Sequence, residues 1–208
     1  MPGNDPRLAQ LLAHPALWRG RNAARVPVVP TGFEALDASL PGGGWPRTGL
    51  VELLVPRLGI GELRLLMPAL AALSREPSAR WCAWIAPPFE PFAPALVAHG
   101  VALGRVLVVR APTPLWALEQ SLASGACDTV LAWVRQAHPR ALRRLQLAAE
   151  HGRALGLVFR APAAASEPSA AVLRLQLAPA SDGLRITLLK SRGGARGSLR
   201  IDWNAGHE

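Results

Sequence analysis

Five short apolar runs, at 49–55, 80–86, 105–110, 128–134 and 155–160, do most to limit what this chain can fold into. Each is bounded by Gly, Pro or polar residues, the pattern of strands buried on both faces. Helical patterns lie between them at 61–75, 91–99, 114–123 and 139–151. Strand and helix in alternation require crossover connections, and hence a mainly parallel sheet with helices on both faces, an α/β three-layer domain. With 208 residues, 50% of them hydrophobic, the chain has material for one such core.

Both ends depart from the alternation. Residues 1–30 read as an appendage, a helix over 6–17 followed by an extended Arg-rich arm, and 31–208 as the domain proper. A short helix over 32–40 and a Gly/Pro turn at 41–49 lead into the first core strand. After residue 160 comes a short low-complexity loop, APAAASEPSA. The segments VLRLQL, LRITLLK and SLRIDW then alternate apolar with polar residues, as strands with one solvated face do. SDG reads as a tight hairpin and SRGGARG as a longer loop, so the carboxy-terminal part is expected to be an antiparallel extension.

The segment VELLVPRLGIGELRLL, 51–66, has the strand, Gly-containing loop and helix start in which a phosphate-binding loop sits. Such a loop needs backbone N–H groups and a lysine ammonium around polyphosphate, with a following hydroxyl on magnesium. Here Glu62 follows Gly61 where the lysine belongs, and Leu63 has no hydroxyl. Replacing attraction by repulsion at ~4 Å swings the interaction by roughly 8 kcal/mol at an effective dielectric of about 20. Lys190 is the only lysine in the chain. Gly59, Gly61 and Glu62 therefore read as a tight connection whose glycines supply unusual backbone angles and whose glutamate complements a helix N-terminus. Residual anion binding is the minor alternative, and nucleotide turnover is not expected.

The formal charge of +9 favours an acidic partner, nucleic acid first and an acidic protein surface second. Arginine supplies nearly all of it, a bias that a GC-rich genome also produces. Cys82 and Cys127 lie in apolar runs and read as buried reduced thiols, and the five histidines are scattered without metal-ligand spacing. No metal, cofactor or catalytic triad is expected. The amino terminus lacks the pattern of a secretory signal, and no segment offers about 18 uninterrupted apolar residues. A soluble cytoplasmic protein without membrane contact is the expectation.

The run PTGFEALDASLPGGGWPRTGLVELL, 30–54, resembles the opening of RecA-type recombinases, in which a Thr-Gly, a Leu-Asp and a Gly-Gly-x-Pro turn precede the phosphate-loop strand. The resemblance continues through RWCAWIAPP, WALEQSLASGACDTVLAWV and ALGLVFR, and implies a degenerate RecA-like domain. In that family a glutamate after the second core strand activates water, and counting from Cys82 puts Pro88 in its place. Glu90 lies two residues beyond. The magnesium-linked aspartate falls at Trp133, and the long DNA-binding loop is reduced to 161–170.

With LAHPALWRGR, WIAPPFEPFAPAL and LLKSRGGARGSLRIDW added, the pattern is similar to the ImuA family, RecA-like proteins without ATPase motifs that belong to bacterial mutagenesis cassettes. The resemblance implies a non-catalytic adaptor of SOS-induced translesion DNA synthesis. It would work beside ImuB and an error-prone replicative-type DNA polymerase, in contact with RecA, with direct contact to single-stranded DNA left open. SulA, the SOS inhibitor of cell division that binds FtsZ, shares the degenerate core and supplies the alternative function.

Three clusters are candidate partner or nucleic-acid contacts. Trp18, Arg19 and Arg21 combine an aromatic anchor with cations, as binding hot spots do. Arg140 and Arg144 share a helix face, otherwise an ordinary solvated one. Lys190, Arg192, Arg196 and Arg200 surround a Gly-rich loop, with more cations than a hairpin turn requires.

Overall fold

The computed structural model describes residues 27–191 and 197–203. β1 (Val28–Val29) pairs antiparallel with β2 (Trp45–Pro46) as a small ribbon, and α1 (Glu34–Asp37) lies between them in sequence. The expected 32–40 helix is thus a single turn. Its approach is fixed by Thr31, whose backbone N–H donates to Asp37 Oδ1 at 2.9 Å. Gly32 has φ +84 and sits so close to Pro68 that a Cβ there would lie 2.5 Å from the proline Cβ. The Thr-Gly and Leu-Asp signature is, in this chain, a docking device for the ribbon.

The main sheet has eight strands. In chain order they are β3 (Gly49–Leu54), β4 (Trp81–Ile85), β5 (Val106–Val109), β6 (Cys127–Trp133), β7 (Leu155–Arg160), β8 (Leu173–Ala180), β9 (Gly183–Ser191) and β10 (Gly197–Asp202). Their order across the sheet is β10-β9-β8-β3-β7-β6-β4-β5. The five expected core strands all form, within a residue or so of the expected bounds. β8 pairs parallel with β3 on one side and antiparallel with β9 on the other, so the parallel part gains a sixth strand from the expected extension. Only the β8–β9 and β9–β10 ladders of this sheet are antiparallel.

Four helices fill the crossovers: α2 (Met67–Ser74), α3 (Ala93–Ala98), α4 (Pro114–Ala123) and α5 (Pro139–Gly152). Leu66 of the turn before α2, Leu70 of α2 and Leu96 of α3 share a core with Val51, Trp84 and Leu157 on one sheet face. Leu118 and Leu122 of α4 and Leu142 and Leu145 of α5 share a core with Leu50, Ile85 and Val158 on the other. The alternation of side chains along each strand feeds both cores, which is why the strands read as continuous apolar runs. α2 begins later than the 61–75 pattern suggests. Gly61 has φ +105, outside the helical region, and Pro68 near the start of α2 lacks the N–H that an interior position would use. Residues 61–66 form irregular turns instead.

Candidate functional site

In parallel α/β sheets ligands bind outside the carboxyl ends of the strands, and the loop whose sequence was read as a degenerate phosphate loop lies there, between β3 and α2. The structure revises the expected role of Glu62. It stands five residues before α2 rather than at the helix N-terminus, and its carboxylate turns back into the loop. There Oε1 accepts the Gly59 N–H and Oε2 the Ile60 N–H, both at 2.9 Å. At 4% exposure the carboxylate is held by these amides in the manner that a phosphate oxygen would be. The two backbone donors are already engaged.

Trp203, just beyond β10, covers the same loop. A Cβ on Gly61 would lie 2.4 Å from its Cζ2. The indole meets Phe33 edge-on at 5.9 Å, and the Arg64 guanidinium sits 4.8 Å above the ring while donating to the Trp203 carbonyl at 3.1 Å. Replacing Gly61 by Ala is expected to cost about 1–3 kcal/mol in urea unfolding, because left-handed strain adds to displacement of the indole. Gly59→Ala should cost only the strain, since nothing lies within 4 Å of its Cβ. Equal losses at both positions would exclude the indole contact.

Pro88 lies in the segment after β4, and Glu90 forms an exposed ion pair with Arg110. Trp133 ends β6, stacked on Phe159 of β7 at 4.9 Å and 16°, with Trp84 of β4 at 5.7 Å on its other side. Aromatic carbon thus fills the carboxyl end of β6. The loop, α2, α3, Trp84, Trp133 and the Pro87–Phe92 segment bound an apolar groove of about 410 Å³. Among the described residues no group of three or more His, Cys, Asp or Glu could hold a metal ion. Burial pushes the Cys82 thiol up to about 12 and raises Cys127 as well, so both stay protonated at neutral pH.

Within β3 lies a group that the sequence reading passed over. Glu52 of β3 is completely buried, with Arg160 Nη1 donating to its Oε1 at 2.8 Å and Arg174 Nε 2.5 Å from its Oε2. Arg160 also donates to Glu167 at 2.7 Å, and Arg174 to the carbonyls of Ala164 and Glu167 at 2.5 and 3.1 Å. Burial lowers the Arg160 pKa, but hydrogen bonds to Glu52 and Glu167 outweigh it and leave the guanidinium more basic than usual. The network pins 161–170, which carries a 3₁₀ turn at Pro162–Ser166. An acid inside the apolar run VELL and an arginine closing LGLVFR were the available signals.

The candidate cations separate. Arg144 pairs with Glu119 of α4, whereas Arg140 is exposed with no ion-pair partner among the described residues. Lys190 donates to the Ser169 carbonyl at 2.8 Å and thus also ties down 161–170. Arg200 is engaged by Asp202 at 2.6 Å and by the Ser181 carbonyl at 2.7 Å. Trp18, Arg19, Arg21, Arg192 and Arg196 lie outside the described residues.

Fold and site together define a mixed α/β protein with a mainly parallel sheet, whose loop after β3 is closed on its own glutamate. The family model of the cell division inhibitor SulA matches residues 58–156. SulA of Edwardsiella piscicida is 35% identical over 136 residues, which cover 60% of this chain and 78% of that protein. The chain belongs to the SulA family. SulA of Photorhabdus laumondii is 32% identical over 117 residues, 55% of this chain, and the match spans 65% of that relative's length. Protein ImuA of Caulobacter vibrioides is 29% identical over 210 residues, covering 87% of this chain and 86% of its own. The crystal structure of SulA from Pseudomonas aeruginosa aligns with a TM-score of 0.45 at 31% identity, over 53% of this chain and 97% of that one. No helix among the described residues is long and apolar enough to cross a membrane.

Proposed function

We propose that this chain is a non-catalytic accessory protein of the SOS response to DNA damage, a RecA-like scaffold that serves as an adaptor in mutagenic translesion synthesis. The observation that carries the reading is Glu62: its carboxylate takes the loop amides that a nucleotide would need and sets a negative charge against any triphosphate. Such a site binds and positions macromolecules but does not turn over ATP. The similarity to ImuA along 87% of the chain supports the translesion assignment over a function confined to the core. On this reading its partners are an ImuB-type protein with its error-prone polymerase, and RecA. The exposed Arg140 is a surface available to them, and Arg19, Arg21, Arg192 and Arg196 are candidates by sequence alone.

A second reading, a cell division inhibitor acting on FtsZ, is favoured by the higher identity to SulA proteins over the central region. Expression of the full chain in cells separates the two. Normal cell length with co-purification of ImuB and RecA is the expected result, whereas filamentation with FtsZ retained on the chain would transfer the assignment. Calorimetric titration with ATP and magnesium is expected to give no binding heat, and micromolar affinity would remove the non-catalytic reading altogether.

A further inference from the structure

The geometry points to the apolar groove as the docking site for an acidic peptide segment of a partner protein. An aliphatic or aromatic side chain of the peptide enters the groove while its carboxylates meet the arginines around the opening. This inference rests on the reading that the loop no longer takes nucleotide.

Two features make the groove a receptor for side chains. Trp84 and Trp133 line it, and Met67 and Leu63 close it from the α2 side, an apolar concavity of about 410 Å³. Phe89 and Phe92, 74% and 70% exposed, stand on its lip in the segment PPFEPF. Three prolines stiffen that segment, and the residue before it, Ala86, holds φ +46, a left-handed conformation that L side chains rarely adopt. Large apolar side chains held rigidly in water next to a concave apolar surface have the anatomy of an interface hot spot.

Charge selects the occupant. Arg64 lines the groove, and Arg57 precedes the lining residue Leu58. Arg135 follows Trp133 by two residues, and Arg110 follows the end of β5 at the same end of the sheet. Arg57, Arg64 and Arg135 are all exposed, and none has an ion-pair partner among the described residues. The acids at the groove are Glu62, engaged with backbone amides, and Glu90, engaged with Arg110. Within the lining Arg64, which also packs on Trp203, stands against these two carboxylates, and the exposed Arg57 and Arg135, next to lining residues in sequence, make the wider rim net positive around an apolar interior. Single-stranded nucleic acid fits less well, because stacking needs open ring faces. The faces of Trp133 are occupied by Phe159 and Trp84, and the loop amides that could hold phosphate are taken by Glu62.

The test is selection of a displayed library of random peptides, about twelve residues long, on the immobilised full chain. Enriched sequences are expected to place Asp and Glu beside Leu, Ile, Phe or Trp. The strongest, synthesised with a fluorophore, should weaken several-fold between about 50 and about 300 mM salt. It should lose about tenfold or more in affinity to Phe89→Glu/Phe92→Glu and to Arg57→Glu/Arg135→Glu. All four side chains are exposed, so urea midpoints of both variants should match the parent. Enrichment of neutral or basic sequences, binding indifferent to both double variants, or no enrichment overturns the proposal. So does binding of a thymidine oligonucleotide of about 20 nucleotides that both variants abolish. ATP binding by the parent chain would instead sink the underlying non-catalytic reading, whereas absence of both ATP and peptide binding would sink the groove alone.

Discussion

Glu52→Ala is expected to lose about 3–5 kcal/mol of stability, the cost of leaving buried charge uncompensated. Removal of the carboxylate leaves Arg160 and Arg174, both nearly inaccessible to water, facing the same point with no anion between them. Glu167 neutralises Arg160 only from the surface side, since its side chain is half exposed. Against a total of about 5–15 kcal/mol for an ordinary domain, such a loss brings the chain close to unfolding at ambient temperature. Urea denaturation followed by circular dichroism measures it, and a midpoint shift equivalent to under about 1 kcal/mol would show that the three groups do not act as a charged unit. Replacing all three, Glu52→Leu with Arg160→Leu and Arg174→Met, is expected to cost little, because no charge is then desolvated. The triple variant should nevertheless lose amide protection over 161–170, whose carbonyls Arg174 holds, while β3 and β7 keep theirs.

That contrast shows what was legible in the sequence. β3, β4, β6 and β7 were readable because a strand covered on both faces is apolar along most of its length, and the buried Glu52 of β3 and Arg160 of β7 did not break that pattern. The start of α2 was not, because Gly61 and Pro68 exert their effect through backbone angles that a 3.6-residue hydrophobic period does not encode. The glutamate at 62, where a phosphate loop would carry lysine, was visible. Its conformation was not: whether a carboxylate caps the following helix or folds back two or three residues depends on the loop's exact path. Trp203 and the Glu52 network lay further beyond reach. Arg160 is 108 residues from Glu52, and they meet because β3 and β7 are parallel neighbours in a register with Leu54 opposite Arg160. Trp203 reaches Gly61 only because β8, β9 and β10 extend the sheet beyond β3. The candidate cations were identified by number and composition alone, which cannot distinguish Arg144, committed to Glu119, from Arg140, four residues away and exposed.

The groove's floor gives the other large effect. Phe159→Ala is expected to cost about 3–5 kcal/mol, the range for deleting a buried aromatic side chain. Phe159 is buried against the sheet opposite Trp133 in the β6–β7 register, and the near-parallel stack of the two rings is the base on which Trp133 rests. Without the phenyl ring Trp133 loses one face of contact, and the Trp84–Trp133 pair has room to sink toward β7. The indoles that line the groove would then recede from its opening, although Phe159 itself is not part of the lining. Two measurements therefore move together in Phe159→Ala: the urea midpoint falls, and affinity for a groove-selected peptide falls under conditions where the variant is still folded. Phe159→Leu refills most of the volume and should recover the larger part of both. If Phe159→Ala unfolds at the same urea concentration as the parent, the stack contributes nothing. If stability falls while peptide affinity holds, the indoles keep their positions without it. Trp133 at the end of β6 is held by aromatic packing, so the contact that stabilises the sheet also shapes the surface available to a partner.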